Sequence, residues 1–144
     1  MLGLYFDELS VGQSAETTHV VGAGDIEAFA AVSGDFNPVH MDDAYARTTT
    51  FGGRIAHGML AAAYISAVLG NQLPGPGAIY LSQSLRFRRP VKIGDPVTAR
   101  VTVKALDAAK GHATFQTACL VGGKTAVEGE ALIMVPRRGA PPKS

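Results

Sequence analysis

The chain has 144 residues, 47% of them hydrophobic, with 13 basic and 12 acidic side chains that leave a formal net charge of +1. A chain of this length can form one domain with a sizeable core, without metal or disulfide staples. The balanced charge argues against a general nucleic-acid or membrane-surface binder, since such binding draws on clustered positive charge, and it points instead to a small-molecule partner.

From the N-terminus, MLGLYFDELSVGQ meets Asp7 and Glu8 early and has no basic region before an apolar run, so an export signal is not expected. A short strand is predicted over about Ala15 to Val21, then a helix opening near Gly24 and Asp25, where a carboxylate suits the positive helix end. Ile26, Phe29, Ala30 and Val32 carry that helix on. It must stop near Gly34, because Pro38 fixes its own φ and pushes Asn37 toward an extended conformation. The stretch Phe29 to Ala46, FAAVSGDFNPVHMDDAYA, therefore sets a carboxylate, Asp35, and an imidazole, His40, five residues apart on a bend predicted to be non-helical. A second short helix is expected over Asp42 to about Arg47, with Asp42 and Asp43 as helix-start residues; they are too few to make a metal site, and none is expected. Thr48 to Ala56 reads as a loop around Gly52 and Gly53.

Next comes HGMLAAAYISAVLGNQL, from His57 to Leu73, apolar on nearly every side between Leu60 and Leu69. Such a helix is expected to be buried all round. Its longest apolar run, Met59 to Gly70, falls short of the roughly 20 residues that span a bilayer. Pro74 to Gly77 end it. The period then changes to alternation, predicting strands over Ile79 to Phe87, Val97 to Leu106, His112 to Val121 and Lys124 to Val135. Gly94-Asp95-Pro96 separates the first two, Ala108 to Gly111 makes a loose turn, and Gly122-Gly123 marks a tight hairpin. Cys119, the only cysteine, reads as a small buried apolar residue and fits a reducing, cytoplasmic compartment. The segment after Pro136, RRGAPPKS, has no apolar period and is expected to be disordered, leaving a single domain over 1–136. One apolar helix followed by consecutive antiparallel strands makes an α+β layer in which a curved sheet wraps the helix. A single copy leaves an edge and part of a face bare, so a homodimer is expected.

Ser33-Gly34-Asp35-Phe36-Asn37-Pro38-Val39-His40, followed after five residues by Ala46, resembles the hydratase-2 signature of MaoC-like, (R)-specific enoyl-CoA hydratases. His57-Gly58-Met59-Leu60, Ile79-Tyr80-Leu81, Gln83-Ser84-Leu85, Pro90-Val91 and Gly94-Asp95 resemble the same family, in order, over about Leu9 to Pro136. The likeness is strongest to the small single-domain hydratases of polyhydroxyalkanoate synthesis. It implies the hot-dog fold, a curved antiparallel sheet around one central helix, and a homodimer with active sites near the subunit interface. It also implies reversible hydration of trans-2-enoyl-CoA to (3R)-3-hydroxyacyl-CoA, with no cofactor beyond the coenzyme A of the substrate. Family relatives in mycolic-acid synthesis dehydrate acyl-carrier-protein thioesters with the same motif, so the carrier stays open. A non-catalytic subunit that binds acyl thioesters is the rival from another class, and the intact Asp35 and His40 pair counts against it. A thioesterase would leave the Asp-Asn-Pro-His loop unexplained.

The residues suit the chemistry. Hydrating an enoyl thioester needs a group that takes a proton from the water attacking C3, a proton for C2, and donors for the enolate oxygen. Asp35 and His40 can supply the first two, and an effective Asp35 is expected to be partly desolvated. Asn37 would brace the loop or hold the carboxylate. At the start of the long helix the free first-turn amides can serve the enolate, with Gly58 the best placed because it lacks a Cβ. Ser66 shares a face with Met59 seven residues earlier. The resemblance sets Ser66 by the active site, where it could bond Asp35 or border the acyl pocket, and makes Leu69, one turn on, a candidate for the pocket's far wall and a preference for short acyl chains. His57 reads as a structural helix-start residue, turned about half a turn from Ser66. Arg86, Arg88, Arg89 and Lys92 form the one basic cluster, either a solvated strand end or a surface for coenzyme A phosphates or an acidic carrier protein.

Overall fold

Alternating side chains make the second half of the chain a sheet. In a computed structural model that describes residues 3–138, β4 (Pro96–Asp107) buries Val97, Ala99, Val101 and Val103 on one face. β5 (His112–Val121) and β6 (Lys124–Met134) follow as antiparallel neighbours. Gly122 and Gly123 both take positive φ, +58° and +78°, the conformation that a two-residue hairpin requires and that side chains resist. β1 (Ser14–Val20) pairs with β4, and β2 (Ile79–Gln83) with β6, giving the order β1-β4-β5-β6-β2.

The expected strand over Ile79 to Phe87 is two. β2 slips in register on β6 between Tyr80 and Ser82. Pairing resumes only at β3 (Arg86–Phe87), opposite Glu128 and Val127. Between them the Ser84 backbone crosses so close to β6 that a Cβ on Gly129 would lie 1.8 Å from its carbonyl oxygen. Period alone cannot show this crossing, because it depends on a glycine on another strand.

The long helix, α4 (Gly58–Asn71), lies against β1, β4, β5 and β6. Leu60, Ala61, Ile65, Val68 and Leu69 face the sheet and join Phe115, Val101 and Ile133 in one hydrophobic cluster. Burial on every side does not hold. Met59 is 55% exposed, and Ala63, Ser66, Ala67 and Gly70 lie open on the same stripe, because the sheet covers one side of the helix and no described residue covers the other.

Three shorter helices lead into α4. In α1 (Ala23–Ser33) the Asp25 carboxylate accepts the Gly22 N–H at 2.7 Å, a bond that holds Asp25 below the usual carboxylate range. Gly34, at φ +80°, ends the helix by donating its N–H to the Ala30 carbonyl. The following bend is helical for one turn, contrary to the sequence reading. Pro38 opens α2 (Pro38–Met41), where its missing N–H costs nothing, and Asn37 caps it. Asp42 caps α3 (Asp43–Arg47), its side chain accepting the Tyr45 N–H. At the C-terminal end, Arg137 lies 5.4 Å over the Phe6 ring and Arg138 pairs with Asp7 at 3.4 Å. These are the first two of the eight residues after Pro136; 139–144 lie outside the described residues.

Candidate active site

His40 sits in α2 and is only 9% exposed. Its Nδ1–H donates to the Ile55 carbonyl at 2.7 Å, which leaves Nε2 free to face the chemistry. Arg54 donates through Nε to the His40 carbonyl, so the loop before α4 grips this residue at side chain and backbone. Asp35 lies on the bend after α1. One of its carboxylate oxygens accepts the Asn37 N–H at 3.1 Å, and the Asn37 side chain accepts the Val39 N–H at 3.1 Å. These two bonds fix the bend. The expected desolvation of Asp35 is not found: on one chain it is exposed, because the bend lies at the surface beyond the end of α1.

His57, read from sequence as structural, joins this pair. It is 2% exposed, donates Nε2–H to the Asp35 carbonyl at 2.9 Å, and stacks on His40 with ring centroids 4.0 Å apart. Its place in the sequence, 17 residues after His40, carries no signal of that contact. The three side chains bring ligand-type atoms within 4.8 Å of one another. The imidazole planes are inclined by only 27°, and one nitrogen of each ring already donates to a backbone carbonyl.

Beside the histidines opens a cavity of about 520 Å³, its wall largely apolar with Phe51, Met59 and Val91, and with Arg88 and Arg89 entering from the segment after β3. Arg88 pairs with Glu128. Gly58 begins α4 at this cavity, where first-turn amides carry partial positive charge and lack intrahelical partners. The space a Cβ would need is already taken: it would fall 2.6 Å from Cε1 of Phe87. A side chain at Gly58 would therefore have to displace the Phe87 ring. Ser66 and Leu69 are not part of the cavity wall. Ser66 lies on the open stripe of α4, Leu69 is 2% exposed in the core, and Leu69 is about 16 Å along the helix from Gly58 at 1.5 Å per residue.

A six-stranded antiparallel sheet packed on one central helix defines a hot-dog protein, here with an aspartate and a histidine gathered at the start of that helix. Residues 8–126 match the family described as MaoC like domain, and the chain belongs to that family. It is 56% identical over 135 residues to an (R)-specific enoyl-CoA hydratase of Rhodospirillum rubrum, covering 94% of each chain. Among solved structures it is similar to the (R)-hydratase from A. caviae involved in PHA biosynthesis, with TM-score 0.88 and 52% identity, covering 90% of this chain and 98% of that one. It is also similar to an unliganded R-hydratase from Pseudomonas aeruginosa, with TM-score 0.90 and 47% identity, covering 99% and 96%.

Proposed function

We propose that the protein is an enzyme that reversibly hydrates trans-2-enoyl-CoA to (3R)-3-hydroxyacyl-CoA. The observation that carries this reading is the gathering of Asp35 and His40 at the first turn of α4, beside an apolar cavity. The likeness to (R)-specific enoyl-CoA hydratases supports the substrate class and the R configuration.

In this reading the Asp35 carboxylate takes a proton from water as its oxygen bonds to C3 and hands it to the lone pair on His40 Nε2, which delivers it to C2, so both groups end in their starting protonation state. The electron pair of the C2–C3 π bond moves toward the thioester oxygen. Hydrogen bonding from the Gly58 N–H and the positive end of α4 stabilise that enolate. The reaction is redox-neutral and needs no cofactor besides the coenzyme A of its substrate. Arg88 and Arg89, with Arg86 and Lys92 nearby in sequence, offer charge for the coenzyme A phosphates. Met59 borders the acyl group. Neither Ser66 nor Leu69 lines the cavity, and a four-carbon chain bound at Gly58 is too short to reach Leu69 on the same copy, so this reading gives neither residue a part in binding short acyl chains.

The working unit is a homodimer in the cytoplasm, supplying (3R)-hydroxyacyl-CoA to polyhydroxyalkanoate synthesis. The bare stripe of α4 and the open edge strand β2, with Tyr80 and Leu81 exposed, support pairing with a second copy. No described helix is long and apolar enough to cross a membrane. The test is loss of the conjugated thioester absorbance with crotonyl-CoA, trans-2-octenoyl-CoA and an enoyl carrier protein side by side. Turnover of the coenzyme A esters is expected. Turnover of the carrier-protein ester alone would make the protein a dehydratase of that carrier, and turnover of none would overturn the assignment.

A further inference from the structure

His57 Nε2 donates to a carbonyl and must therefore carry the proton, so the ring in its neutral form keeps a lone pair on Nδ1. That Nδ1 is buried and has no hydrogen-bond partner. Stranding a buried acceptor costs stability, and an unsatisfied polar atom in a native fold calls for a reason. Packing does not supply one, because a phenylalanine would fill the same space without the stranded atom. What histidine adds is a donor on a flat ring, and both properties are in use. The donor holds the Asp35 backbone, the ring face holds His40, Phe29 of α1 packs against it at 4.9 Å, and its own peptide runs into Gly58.

Accordingly we infer that His57 is the positioning residue of this site, tying Asp35 and His40 to the Gly58 amide so that base, acid and enolate donor keep one geometry. The inference rests on the hydration reading above. It concerns a residue that need not touch the reacting atoms, so its signature is a loss of kcat without a matching loss of binding or of fold.

Two substitutions separate the ring from the donor. H57F keeps a stacking ring and removes the stranded acceptor together with the donor to the Asp35 carbonyl. H57Q restores an N–H near the Nε2 position without the ring. With crotonyl-CoA, H57F is expected to lose at least about 30-fold in kcat, with KM within about threefold of wild type and a melting temperature equal to or above wild type. H57Q is expected to recover at least about threefold in kcat over H57A, since a side-chain amide can mimic the lost donor. Wild-type kcat in H57F overturns the inference, as does a fall in H57F activity that only follows a lowered melting temperature. If H57F does not fold, H57Q decides, and a folded H57Q no faster than H57A also overturns it. An independent readout needs no turnover: ¹⁵N spectra of the wild-type histidines, recorded above their titration range, are expected to show the His57 ring proton on Nε2. A proton on Nδ1 would sink the assignment. If wild type fails to hydrate crotonyl-CoA, the functional reading falls, and the tautomer alone then decides whether His57 makes the tie to Asp35.

Discussion

Among the described residues, Arg54 Nη2, His57 Nδ1 and the Tyr64 hydroxyl are buried without a hydrogen-bond partner, and all three fall between residues 54 and 64, in the loop before α4 and the first half of that helix. The sheet treats its buried polar group differently. Thr117 in β5, fully buried, donates to the Gly129 carbonyl at 3.0 Å and accepts from Gln83 at 3.0 Å. Backbone ladders and such side-chain bonds satisfy the sheet, whereas the start of α4 carries unmet groups whose cost the rest of the fold must offset. The difference divides the molecule into a half that supplies stability and a half that holds Asp35 and His40, the groups proposed to react.

The sharpest way to break that division is to remove the reacting groups themselves. Asp35→Asn and His40→Ala are each expected to lower kcat by at least about a hundredfold while the circular dichroism spectrum and melting temperature stay near wild type. Near-normal turnover in either folded variant would remove these residues from the chemistry. The converse test falls on the sheet. Gly129→Ala would drive a Cβ to 1.8 Å from the Ser84 carbonyl oxygen, and is expected to cost about 3 kcal/mol in urea unfolding, the upper end of ordinary overpacking. An unchanged unfolding midpoint would show that the β2 to β3 crossing is looser than described.

Gly58 lies on the boundary between the halves. A Cβ there meets the Phe87 ring at 2.6 Å, so Gly58→Ala is expected to lower both stability, by about 1–2 kcal/mol, and turnover. Adding Phe87→Ala should recover most of the stability, and a double-mutant cycle without coupling would refute the contact. The smallest effect is expected at Cys119, whose thiol burial pushes up to about 12 and whose Sγ–H donates to the Ala61 carbonyl at 3.2 Å. Iodoacetamide at pH 8 should label it only after denaturation, because the thiolate is scarce below that pKa and the sulfur is enclosed. Fast labelling of the folded protein would contradict this.

Much of the sheet was legible because alternation is a local property: β4, β5, β6 and the Gly122-Gly123 hairpin fall where period and glycine placed them. Asp35 and His40 were legible for a related reason, since both sit on one short motif. What escaped the sequence depended on contacts between distant segments. The break between β2 and β3 is set by Gly129, the pairing of His57 with His40 by the path of the loop through Ile55, and the one-turn helix α2 by Asn37 supplying a cap that proline alone does not suggest. The bare stripe of α4 escaped for a different reason. Hydrophobic pattern reports what a helix can bury; it does not report whether one copy of the chain provides the cover.

The central claim is that Asp35 and His40, held at the start of α4, add water to one face of an enoyl thioester. Its most direct test is chiral analysis of the product that the wild-type protein forms from crotonyl-CoA, with D35N run in parallel. The account predicts (3R)-3-hydroxybutyryl-CoA from wild type and at most about one hundredth of that rate from D35N. A product of S configuration, or an equal rate from the two proteins, would contradict it.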